Sequence, residues 1–134
     1  MSGMKSSVSK LRRAFSLVEL VVVVLIVGIL AAVAAPKMFD TSTKARESAT
    51  KASLSVVRNA IELYYSENAA YPASGATLAN DLQRYLKGPF PVSAYGKKDA
   101  SVLDGTAANG TTGWVYDKAT GNFWVNDTTN FNAW

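Results

Sequence analysis

The chain has 134 residues, no Cys, no His, and a formal charge of +4 from 14 basic and 10 acidic side chains. That length holds one small domain. The absent residue types exclude disulfide staples, His/Cys zinc sites, cysteine nucleophiles and Ser-His-Asp triads. The charge is unevenly placed: Lys5, Lys10, Arg12 and Arg13 fall in residues 1–14, which hold no acid. Without those four, ten basic residues face ten acidic ones, so a basic surface for nucleic acid is not expected.

Residues 1–14 form a polar, basic leader with no apolar stretch of its own. A secretory signal places its apolar region before its cut; here the apolar run follows Ala14. The leader's cations read as cytoplasmic retention, which puts Lys37 onward on the far side of a membrane. The run Phe15–Ala35 has one charge and about the ~20 residues that a bilayer-spanning helix needs. Its β-branched crowding is poor for helix in water, but in lipid the backbone must satisfy itself, so helix is expected. Gly28 and Ala31, Ala32, Ala34 and Ala35 fit close helix–helix approach, and equally the ordinary composition of a membrane helix.

The one charge in this run is Glu19. A carboxylate in hydrocarbon costs about 2.5–3.5 kcal/mol, so a segment built around one is expected to supply it with a partner. Cleavage between Ala14 and Phe15 would give Phe15 a positive amino group, and Glu19 of one subunit could neutralise that amine on another. Two other readings stay open. Ala32-Val33-Ala34 is a small-x-small site at which the run would be removed as a signal peptide, leaving an exported binding domain. The run could also be a plain single-pass anchor.

Pro36 ends the apolar run and removes a backbone donor, so a kink or local melting is expected there. Helix then resumes, with no Gly or Pro from Met38 to Tyr65. Ala45, Ala49, Ala52, Val56, Ala60 and Leu63 or Tyr64 recur at helical spacing, and Leu54, Val57 and Ile61 widen the stripe. Asp40/Lys44 and Glu47/Lys51 are acid-first pairs four residues apart, and Arg58/Glu62 is the weaker order; all read as a solvated face. One helix over 15–65 would be about 75 Å long at 1.5 Å per residue. Its first half suits lipid or a bundle of its own kind, and its second half suits the surface of a domain.

Tyr71-Pro72 and Ser74-Gly75 mark a loop. Thr77 is expected to cap a short helix over 78–87, with Leu78, Leu82 and Tyr85 or Leu86 inward and Gly88-Pro89 as the stop. Residues 88–113 are loop-like, with one short strand expected near 101–103. The last element is a hairpin: Gly113–Asp117 and Asn122–Asn126 flank Lys118-Ala-Thr-Gly121, with Gly121 at positive φ. The tail from Asp127 is expected to be loose unless Phe131 and Trp134 find pockets. The fold class is α+β: a long N-terminal helix, half transmembrane and half packed on a small domain, then a short helix and a C-terminal antiparallel hairpin or small sheet.

With its basic leader, a small residue at the cut, Phe-Ser-Leu-Val-Glu at 15–19 and Pro36 closing the apolar stretch, the N-terminus resembles the type IV pilins and the pseudopilins of type II secretion. The resemblance implies a leader at 1–14, a transmembrane and filament-core helix at 15–36, and a periplasmic or extracellular domain at 37–134. It implies processing at Ala14–Phe15 by a prepilin peptidase, N-methylation of Phe15, and an assembly role for Glu19. Ala14 departs from the glycine usual at that place. The partners implied are further copies in a helical filament, the peptidase and an inner-membrane assembly platform.

Downstream, Tyr64-Tyr65, Tyr71-Pro72 and the aromatic hairpin look like small pseudopilins. Short length and the absence of Cys favour the secretion branch over a type IV pilus subunit for adhesion, motility or DNA uptake. That branch often binds calcium in a C-terminal loop. The oxygen-bearing candidates are Asp99, Asp104, Asn109, Asp117 and Asp127, but calcium needs six to eight converging oxygens and scattered acids usually just solvate a loop. No ligand set or cofactor is therefore assigned. The expected function is a structural filament subunit of a secretion pseudopilus at the inner membrane, not an enzyme.

Overall fold

A computed structural model describes residues 15–134; the expected leader and Ala14 lie outside them. The element order is α1 (Leu17–Asn68), α2 (Gly75–Asp81), β1 (Val102–Asp104), β2 (Trp114–Asp117) and β3 (Asn122–Val125). The described residues divide into two compact units, one up to Asp40 and one from Thr41 to Trp134, and α1 contributes to each. Helix is assigned without a break across Pro36, so the backbone does not melt there.

From Leu20 to Ala35 α1 is apolar on every side. Its large apolar residues from Leu17 to Val33 are all 46–78 % exposed. A helix with no polar face has none to turn to water and belongs inside lipid or among other helices. By length and composition this segment can cross a membrane.

The second unit has a conventional core. Leu54, Val57, Ala60 and Ile61 of α1, Leu78 and Leu82, and Trp114, Tyr116, Phe123 and Val125 of the sheet form one buried cluster. The domain-facing stripe of α1 is therefore Thr50-Leu54-Val57-Ile61, with Tyr64 partly buried. The expected leading stripe is displaced from it: Ala45, Ala49 and Ala52 are exposed, and Val56 and Leu63 stand about half-exposed. The larger side chains and Ala60 fill the space under the sheet, and Ala45, Ala49 and Ala52 remain outside it.

The short helix differs from expectation at both ends. Ser74, not Thr77, is its N-cap, and its side chain accepts the Thr77 N–H at 3.4 Å. The helix is complete by Asp81, and Leu82–Leu86 continue as successive turns. Ser is a strong N-cap residue, and capping from Ser74 moves the whole element toward the N-terminus. Its apolar face is as expected: Leu78 and Leu82 are buried, and Tyr85 and Leu86 pack partly against the core.

The sheet has the order β1-β2-β3 and is mixed. β2 and β3 form the expected antiparallel hairpin, in register Trp114↔Val125 and Tyr116↔Phe123. Gly121 has φ 74° and a Cβ there would lie 2.4 Å from the Tyr71 ring, so the turn needs glycine on both counts. β1 pairs parallel to β2, Val102↔Trp114. The tail is tied down: Phe131 packs on Trp124 at 5.3 Å, and Trp134 on Tyr95 at 5.3 Å with the Lys51 ammonium 5.5 Å from its ring.

Candidate functional site

The N-terminal site is built by the first turn of α1. Phe15 precedes the helix and is 81 % exposed. The Ser16 carbonyl accepts the Leu20 N–H at 3.2 Å, the first bond of the helix. Ser16 N–H donates to Glu19 Oε2 at 3.3 Å, and Ser16 Oγ accepts the Glu19 N–H at a long 3.5 Å. This is a capping box: each residue satisfies a backbone donor of the other. It leaves Glu19 in the first turn, where the positive end of the helix dipole favours a carboxylate. Ser16 was missed from sequence, although its signal, Ser-x-x-Glu at the head of an apolar run, is plain. Pro36 lies inside α1. Ala14 lies outside the described residues.

The five candidate calcium ligands are not brought together. Asp99 Oδ1 accepts the backbone N–H groups of Ser101 at 3.0 Å and Gly113 at 2.8 Å. The Ser101 hydroxyl bond comes first among the causes that hold the Asp99 carboxyl down at about 2; the Lys97 ammonium and the two N–H groups assist, and burial opposes. Asp104 Oδ1 accepts from Gly75 N at 2.6 Å. Asn109 Oδ1 accepts from Thr111 N at 3.0 Å. Asp117 accepts from the Thr120 hydroxyl and, to lesser effect, from Ala119 N, which lower its pKa. Asp127 Oδ1 accepts from Thr129 N and Asn130 N. Asp117 and Asp127 serve turns of their own, Asp99 and Asn109 tie their turns to residues farther along the chain, and Asp104 holds the start of α2. Among the described residues no three His, Cys, Asp or Glu gather as a metal would require. The donor set does not fit calcium.

Comparison with known proteins bears on the N-terminal turn. Residues 9–35 match the family described as the prokaryotic N-terminal methylation motif. The type II secretion system core protein G of Pseudomonas aeruginosa is 31 % identical over 77 residues, which is 58 % of this chain and 54 % of that protein. The protein of the same name from Escherichia coli is 30 % identical over 67 residues, 50 % of this chain and 46 % of that one. The N-terminal motif and both relatives support a pseudopilin or type IV pilin-like relationship for this chain. It spans about half the length of the curated relatives it matches. No solved structure matches it comparably.

A further residue besides Ser16 escaped sequence reading. Arg58 of α1 reaches the sheet and the tail: Nε and Nη2 donate to the Phe123 carbonyl at 3.0 and 2.8 Å, and Nη2 to the Trp134 carbonyl at 2.8 Å. Burial lowers its pKa. Nothing in the sequence distinguishes it from the other cations of the helix, because both acceptors are backbone atoms far along the chain.

Proposed function

We propose that this chain is a structural subunit of a type II secretion pseudopilus. In this reading a prepilin peptidase cuts Ala14–Phe15 and the new Phe15 amine is methylated. The subunit waits in the inner membrane with its leader side cytoplasmic and residues 37–134 periplasmic. An inner-membrane platform then draws it into a helical filament whose core is made of the 15–36 helices. The names of the curated relatives favour secretion over a surface pilus.

The observation that carries the reading is the exposed apolar half of α1 behind a methylation motif. Fourteen large apolar residues from Phe15 to Val33 are 46–81 % exposed. At ~1.5 kcal/mol each, leaving them in water costs on the order of 20 kcal/mol. That exceeds the ~5–15 kcal/mol by which a whole domain is stable. The segment must be covered at every stage, first by lipid and then by copies of itself.

Glu19 supplies what lipid cannot. Its carboxylate is held by its own Ser16 N–H, and in a filament a neighbour's Phe15 amine would be a stronger, charge-assisted partner. Glu19→Ala should insert into the membrane normally and fail to form filaments. The test pairs membrane fractionation with imaging of sheared filaments and mass analysis of the mature N-terminus. Normal filaments from the variant, or a purified protein that begins beyond Val33, would refute the proposal.

A further inference from the structure

The family that this chain resembles often closes a C-terminal loop with calcium, and here the five candidate oxygens are already spent on backbone donors. What closes the loop instead is a neutral side chain. Asn126, immediately after β3, is fully buried. Its Oδ1 accepts the backbone N–H groups of Asn109 at 2.7 Å and Gly110 at 2.9 Å. Its Nδ2 donates to Asn109 Oδ1 at 3.0 Å and Thr112 Oγ1 at 2.7 Å. All four hydrogen-bonding positions of the carboxamide are filled. Its backbone joins the same knot: Asn126 N–H donates to the Gly113 carbonyl at 3.0 Å. The Asn126 carbonyl passes so close to Gly96 that a Cβ there would sit 2.3 Å from the oxygen.

We propose that the Asn126 carboxamide stands at the centre of the 105–113 loop in the place a cation would take, so that the C-terminal domain folds independently of calcium. The chemistry of the groups around it decides between the two. Calcium is bound through oxygen ligands. Two of the four groups that meet the Asn126 side chain are N–H donors, whose positive ends point inward and would repel a cation. The other two are oxygens, Asn109 Oδ1 and Thr112 Oγ1, which accept from the Asn126 Nδ2. A carboxamide is the one small neutral side chain that answers both demands. A buried polar group satisfied at every position also fixes a single loop conformation, because any alternative leaves several donors or acceptors unpaired.

The test is thermal unfolding of the full chain in detergent, followed by near-ultraviolet circular dichroism of the buried Trp114, in calcium chloride and in EGTA. The parent protein should melt at the same temperature in both. Asn126→Ala strands the two buried N–H donors of Asn109 and Gly110, and its Tm should fall by about 10 °C in both media. Thr112→Val removes one partner of Nδ2 and is the milder variant, with an expected fall of about 5 °C in both. A parent Tm that rises in calcium overturns the proposal. So does a Thr112→Val or Asn126→Ala protein that melts with the parent. None of these outcomes touches the filament reading, which rests on the other unit of the chain.

Discussion

Replacing Arg58 by Met keeps the length and apolar stem of the side chain and removes its fork. The guanidinium holds two carbonyls, Phe123 on the edge strand β3 and Trp134 in the tail. Hydrogen bonds from a charged group are worth ~1.5–3 kcal/mol. The site is partly open to water, so the lower figure applies to each carbonyl, about 3 kcal/mol together. Burial lowers the Arg58 pKa, which means that the cation is itself held at some cost, and Met recovers part of it. The net loss is then about 2 kcal/mol, or a Tm fall of about 10 °C for a domain of this size. Arg58→Lys keeps the charge but cannot span both acceptors with a planar fork, and it should lose about 1 kcal/mol. Urea unfolding read by tryptophan fluorescence gives both values, with the slope m checked for constancy. Limited proteolysis should open the 127–134 tail earlier in the Met variant. A Met variant within ~0.5 kcal/mol of the parent would show that the tail docks by its rings alone and would refute the reasoning.

A Cβ added at Gly113 would sit 2.0 Å from the Asp99 carbonyl oxygen, which is backbone and cannot swing away. Gly113→Ala should therefore cost about 3 kcal/mol or more and separate the 99–101 turn from β2, seen as a lowered urea midpoint. The Asp99 carboxyl is depressed from 3.8 to about 2. A depressed acid stabilises the fold above its unfolded pKa of about 3.9, and that contribution is lost as pH falls toward 2. The parent's urea midpoint should drop over that window, and Asp99→Asn should be less stable at neutral pH with a flatter acid limb; an unchanged limb would dismiss the assignment.

Much of the fold could be read without coordinates because its signals are local. The hairpin needed only two aromatic strands and a glycine-ended turn. The N-terminal helix needed only an unbroken apolar run, and Phe15 and Glu19 stood out as its first aromatic residue and its one acid. The misread elements are those in which a local signal had a rival. Ser74 and Thr77 are both fair caps, and the winner also places the Gly75 N–H on Asp104, a contact 29 residues away. Alanines and larger residues both repeat at helical spacing along α1, and only the volume under the sheet selects Leu54, Val57 and Ile61. The parallel pairing of β1 with β2 depends on where the 105–113 loop returns, and Asn126 fixes that return through contacts 14 to 17 residues distant. The capping box at Ser16 and Glu19 was legible and was overlooked because the acid was read only as a partner for another chain.

The bond between Arg58 and Trp134 joins positions 76 residues apart. The same guanidinium also holds the Phe123 carbonyl of β3, so one side chain of α1 clasps sheet edge and tail together. Order in the last residues therefore reports on how β3 is seated against α1, and a probe placed near Trp134 would register loosening at a strand it does not touch.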